Sequence, residues 1–144
     1  METTTMGSVL VTAKIESLSD LCQVELGNLP ADQVRRVEVT DALVDTGATM
    51  LSIPKQLIDQ LGLRPGRIRP ARSSAGPINV QVYSAVRLTI LERDCTIDVA
   101  AVPDDCPVLI GQIPLELLDF VVDPAGRRLT GNPAHGGEHM LDMF

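Results

Sequence analysis

Ala42-Leu43-Val44-Asp45-Thr46-Gly47-Ala48 is the segment that most constrains what this chain can fold into, because an apolar run delivers a carboxylate directly onto a tight Thr-Gly turn. About sixty residues later Val108-Leu109-Ile110-Gly111 repeats the apolar run that ends in glycine. A strand that presents Asp45 at its tip, with Gly47 beside it to admit another backbone at close range, holds a carboxylate where chemistry can use it. The Asp-Thr-Gly triplet occurs once.

The flanking pattern is mainly that of strands. Residues 9–15 and 21–26 approach apolar-polar alternation with a turn at 17–20 between them, which predicts a hairpin. Residues 36–40 alternate cleanly and 42–44 carry the chain into Asp45. Residues 51–61 change period: Pro54 suits a first helical turn, Leu57, Ile58 and Leu61 share a face, and Gly62 ends the element. Residues 62–77, rich in Arg, Pro, Gly and Ser, read as a loop with a hairpin tip. Strand character returns at 80–91 and 96–102 around a turn at 92–94, then at 108–110. Pro114 opens a second short helix through Leu118, and 120–122 and 128–130 flank the turn Asp123-Pro124-Ala125-Gly126. The unit of apolar strand, glycine (Gly47 or Gly111), proline (Pro54 or Pro114) and short helix is used twice. Such a repeat is what a half-barrel with an internal pseudo-two-fold leaves in sequence.

Length predicts one domain of 144 residues, able to bury about 68–70% of its unfolded surface. Within it we expect a flexible segment at 1–8, a folded domain at 9–133 and a flexible tail at 134–144. Tyr83, Phe120 and Phe144 are the only aromatic residues, so Val, Leu and Ile must fill the core. The net charge of -7 opposes binding to phosphate backbones, so nucleic acid is not an expected partner. Cys22, Cys95 and Cys106 are odd in number and lack metal spacing, and read as buried thiols of a reducing cytoplasm. No run reaches the length that spans a bilayer, so no membrane partner is expected.

A single carboxylate is half of an acid–base pair. Two facing Asp45 side chains, one from each of two copies, would share a proton, because like charges a few ångströms apart do not both ionise cheaply. One then takes a proton from water while the other polarises a carbonyl. This predicts a homodimer acting on peptide or protein, with neither metal nor other cofactor. Gly47 lets the two turns meet, and the Thr46 hydroxyl can hydrogen-bond across them.

The chain resembles the retropepsin-like aspartic proteases, in particular their small bacterial cellular relatives. The likeness runs over residues 9–133 and is carried by Asp41-Ala42-Leu43-Val44-Asp45-Thr46-Gly47-Ala48-Thr49, by Leu109-Ile110-Gly111-Gln112-Ile113-Pro114-Leu115-Glu116, and by Leu118-Asp119-Phe120-Val121-Val122-Asp123-Pro124 with Asn132-Pro133. It implies a mostly-β acid-protease lobe, a closed or half barrel, pairing as a homodimer. It also implies that Asp45, Thr46 and Gly47 form the catalytic turn. Ala48, Thr49, Leu109 and Ile110 would contact substrate, and Arg72, Ser73, Ser74, Ala75 and Gly76 would form a flap above it. Thr49 and Gln112 stand where viral members carry an acidic residue and an Arg that brace the dimer. The alternative function is a dimeric peptide-binding module of the same fold without turnover.

Three further signals rank lower. His135-Gly136-Gly137-Glu138-His139 fits the H-x-x-E-H zinc pattern, but two glycines oppose the helix that pattern needs. Arg64, Arg67, Arg69 and Arg72 form a basic stretch that reads as a solvated loop, or else as a preference for acidic residues in a bound peptide. Tyr83 suits core packing or a hydrogen bond in the cleft.

Overall fold

The computed structural model describes residues 8–123, 125 and 127–143. The expected flexible segment 1–8 therefore lies outside the described residues except for Ser8, as do Pro124 and Gly126 of the turn expected after Asp123. The fold is mostly β. Its strands are β1 (Val9–Ser17), β2 (Arg36–Val44), β3 (Leu51–Pro54), β4 (Pro65–Ser73), β5 (Gly76–Ile90), β6 (Arg93–Val102), β7 (Leu109–Ile110), β8 (Phe120–Asp123) and β9 (Arg128–Gly131). Three short helices intervene, α1 (Leu18–Glu25), α2 (Lys55–Leu61) and α3 (Gln112–Leu118).

Seven strands form one sheet in the order β1-β2-β7-β3-β6-β5-β4, and antiparallel pairing of Lys14–Ser17 in β1 with Val86–Thr89 in β5 closes six of them into a barrel. The 15-residue β5 serves two neighbours: its first half pairs with β4 as a projecting hairpin, and its second half completes the barrel wall. Its pairing with β6 slips between Tyr83 and Val86, where the change of role occurs.

Strand register sorts residues into two rows. Val9, Val44, Ile110, Leu51, Val99 and Tyr83 follow one another across the sheet, and all are 9% exposed or less. With Ile15, Ile53, Ile58, Leu61, Leu88 and Leu118, each fully buried, they make an aliphatic core. The neighbouring row, Leu10, Leu43, Leu109, Ser52, Ala100 and Val82, points to the other face, since adjacent strand residues alternate sides. Leu10 at its end is 60% exposed.

Several elements differ from the sequence reading. The strand expected at 21–26 is helix α1, because Leu18, Leu21 and Val24 recur every third residue and Ser17 caps the N-terminus by accepting from the Asp20 N–H at 3.2 Å. Asp20 in turn accepts from the Arg35 backbone N–H, Nε and Nη2 at 2.8–2.9 Å, and that hydrogen-bonded guanidinium holds its carboxyl below the usual range. The single helix expected at 51–61 divides into β3, inserted beside β6 and β7, and α2, which starts after Pro54. Gly62 ends α2 at φ +64°, as its placement implied. The loop expected from Gly62 is largely strand β4, whose prolines are accommodated on a sheet edge. Cys22 is exposed on α1, contrary to the buried thiol expected; Cys95 and Cys106 are partly buried, and burial pushes the Cys95 thiol up to about 11.

The internal repeat is visible in the fold. Helices α2 and α3 are both seven residues long, both end in a left-handed cap, at Gly62 and Asp119, and bury Ile58 and Leu118 completely. No described helix is long and apolar enough to cross a membrane.

Candidate active site

Asp45 follows β2, which runs parallel to β7. The ladder continues one step past the strand: Leu43 N–H donates to Val108 O at 2.8 Å and Asp45 N–H to Ile110 O at 2.9 Å. The Asp45 Oδ1 accepts from the Gly47 N–H at 2.9 Å, and the Ala48 N–H donates to Asp45 O at 3.1 Å. The carboxylate is thus oriented by its own turn, an arrangement for which Asp is suited. Asp45 is partly exposed, and Thr46 and Gly47 are exposed.

A second turn locks into the first. Gly111 N–H donates to Met50 O at 3.1 Å, Gln112 N–H to Ala48 O at 2.8 Å and Ile113 N–H to Thr49 O at 3.0 Å, so the opening of α3 supplies donors to the loop after Asp45. A Cβ at Gly111 would stand 2.7 Å from Thr49 C and 2.8 Å from Met50 N, with Met50 O nearer still. Only glycine permits this crossing.

The structure therefore joins Asp45, Thr46, Gly47, Ala48, Thr49, Leu109 and Ile110 in one assembly of two interlocked turns. Within it Ile110 contributes a backbone carbonyl, its side chain being fully buried in the core, while Leu109 is partly exposed in the row beside Leu43. Residues Arg72, Ser73, Ser74, Ala75 and Gly76 lie apart, at the tip of the β4–β5 hairpin. There Ser73 Oγ accepts from the Ala75 N–H at 3.2 Å and donates to Gly76 O at 2.9 Å, which shapes the tip locally. Among the described residues no hydrogen bond links this tip to the Asp45 turn. Gln112 spends its side chain on Glu116 of its own helix, at 3.0 Å.

Sequence reasoning missed the partly exposed Leu43 and exposed Leu10 beside this site. Their alternation with buried Val9 and Val44 was a readable signal, but only the β1–β2 register, Leu10 opposite Leu43, aligns them. It also missed how the histidines of the tail are used. His135 Nδ1 meets Asp119 Oδ2 at 2.7 Å and its Nε2 meets Asp142 Oδ2 at 2.9 Å, while His139 Nε2 meets Leu117 O at 3.1 Å. The two histidines of the H-x-x-E-H string thus face different partners, and among the described residues no group of three or more His, Cys, Asp or Glu is placed to hold a metal.

The tail contact gives a pH prediction. Only the imidazolium donates from both ring nitrogens, and its hydrogen bonds to Asp119 and then Asp142 raise the His135 pKa above its ordinary value near 6.5. The same bond to His135 holds the Asp119 carboxyl down to about 2. The raised group stabilises fully below pH about 6.5 and loses that contribution as pH rises through its folded value; the lowered one stabilises above pH about 3.8 and loses it as pH falls through about 2. His135→Gln should therefore lower Tm most between pH about 4 and 6.5, and the gap from the native chain should close at alkaline pH, as thermal unfolding across pH will measure. A gap that widens above pH 8 would oppose the assignment.

A family model described as aspartyl protease matches residues 23–113, which span the Asp45 turn, the hairpin and Gly111. The chain belongs to the aspartyl protease family, in accord with its resemblance to the retropepsin-like enzymes. Comparison with curated proteins finds no match.

Proposed function

We propose that the chain is an aspartic endopeptidase working as a homodimer, in which Asp45 of each copy faces the other and a water between them attacks the peptide carbonyl. The observation that carries this reading is the exposed Asp45 turn, fixed from behind by Ile110 O and by the α3 opening, with one such carboxylate per chain. A second copy supplies the other carboxylate, and the shared proton makes one an acid and the other a base. Exposed Leu10 and Ile113, the latter 44% exposed at the start of α3, support a face that another copy covers.

In this reading Thr46 and Gly47 form the contact between turns, and Ala48, Thr49 and Leu109 meet the substrate with the backbone of Ile110. An extended peptide adds as a strand beneath the tips formed by Arg72, Ser73, Ser74, Ala75 and Gly76. The unpaired thiols support a cytoplasmic location. The test is cleavage of a denatured protein between pH 4 and 7, with activity per chain rising with chain concentration until the dimer is saturated, and with inhibition by a peptide bearing a hydroxyl in place of the scissile carbonyl. Activity per chain that is constant down to dilutions where sedimentation shows monomer would exclude the dimeric mechanism. A dimeric peptide-binding module without turnover is the second reading, favoured by one feature: Gln112 is engaged by Glu116 where a charged brace would otherwise reach across. Binding of the hydroxyl-bearing peptide without any cleavage would select it.

A further inference from the structure

The basic stretch of the hairpin builds a groove. Strand β4 bulges from β5 between Pro65 and Ile68, and the space there, about 530 Å³, is lined by Arg64, Arg67, Arg69, Tyr83, Ser84 and Asp98. Backbone and side-chain hydrogen bonds frame it. Ser84 N–H donates to Arg64 O at 2.9 Å, Arg64 N–H to Ser84 Oγ at 3.1 Å, and Gln81 Nε2 to Gly66 O at 2.9 Å and Val82 O at 3.0 Å. Gly66 allows the approach, since a Cβ there would lie 3.2 Å from Val82 O.

The charges on this groove are unspent. Among the described residues Arg64, Arg67, Arg69 and Arg72 have no carboxylate within 4.0 Å; Arg87, Arg93 and Arg127 also lack one, but they are scattered over other elements, whereas these four fall within nine residues. In a chain of net charge -7, carboxylates are abundant, so four exposed and unpaired guanidiniums on one strand and its approach are a local inversion of sign. Asp98 offsets one of the three groove arginines and leaves the groove positive. A guanidinium fork pairs bidentately with a carboxylate, and a preformed open groove suits an extended segment.

We propose that this groove docks an acidic stretch of the substrate polypeptide, outside the cleft where the bond is cut. The inference rests on the peptidase reading for the groove's place relative to the scissile bond. At about 3.3 Å per strand residue, Arg69 lies about 13 Å and Arg67 about 20 Å from Ser73 along β4. A substrate held under the tip and extended along β4 therefore presents residues about four to six positions from the scissile bond to these arginines.

The experiment uses two fluorescent peptides with one shared central segment, extended either by four Glu or by four Gln, and measures anisotropy with the full chain carrying Asp45→Asn. The Glu probe should bind about tenfold more tightly than the Gln probe, an advantage that shrinks in 0.5 M salt. Arg67→Gln with Arg69→Gln should remove it, while Arg127→Gln with Arg128→Gln, which takes the same charge from elsewhere, should not. Equal binding of both probes overturns the proposal, as does an equal loss in the two double variants, each checked for an unchanged Tm. The native chain then separates the readings. If it cleaves neither peptide while the arginine-dependent preference persists, the peptidase reading fails and the docking groove stands. If it cleaves both with the same KM, the groove falls and the peptidase stands.

Discussion

Asp45→Asn is expected to leave a folded chain that cleaves at no more than about one-thousandth of the native rate, the scale on which positioned acid–base groups act. The side chain keeps its shape, and its oxygen can still accept from the Gly47 N–H that now lies 2.9 Å from Oδ1, so the turn has no reason to unfold. What disappears is the capacity to carry or release a proton. A mixing experiment sharpens the result. If each catalytic centre takes one Asp45 from each copy, a tenfold excess of the Asp45→Asn chain should reduce native activity to roughly one-eleventh, because nearly every native chain then has an inactive partner. Activity that stays proportional to the amount of native chain would show a centre contained in one copy. Equal cleavage by both chains at matched concentration would assign the chemistry to some other group.

Gly111→Ala is expected to cost about 2–3 kcal/mol of stability, near the upper end of overpacking penalties, and about 5–10 °C in Tm. The added methyl would press on Thr49 C, Met50 N and Met50 O, all backbone atoms that cannot rotate aside. Relief requires the two turns to separate, which breaks the bonds from Gly111, Gln112 and Ile113 to the loop after Asp45. Activity should fall further than stability alone accounts for, since the displaced loop is the one that orients Asp45. Urea unfolding and cleavage measured on the same preparation check both parts. A variant as stable as the native chain would mean that the turns are not locked together as the hydrogen bonds imply.

Much of this was legible because the decisive signals are local. Asp45 at the end of an apolar run, Gly111 after another, and Gly62 closing a helix announce their places in the fold through neighbours within a few residues. Residues 21–26 misled because a short segment can satisfy two periods at once, and the deciding contact, Asp20 with Arg35, spans fifteen positions. Strand β4 was hidden for a related reason: its polar, proline-bearing sequence has little strand propensity, and β5 supplies the pairing that defines it. The apolar row beside the site and the histidine contact with Asp119 depend on register and on a 16-residue separation, neither of which periodicity encodes.

Strand β5 has a mechanical meaning. It runs without a break from Gly76 at the hairpin tip to Ile90 in the closed wall, so hairpin and barrel are one beam rather than two parts joined by a loop. Its support changes at the slip between Tyr83 and Val86, where pairing with β6 is interrupted. The arginine groove, lined by Tyr83 and Ser84, lies at the same place along β5, so the strand that carries the hairpin also carries the groove.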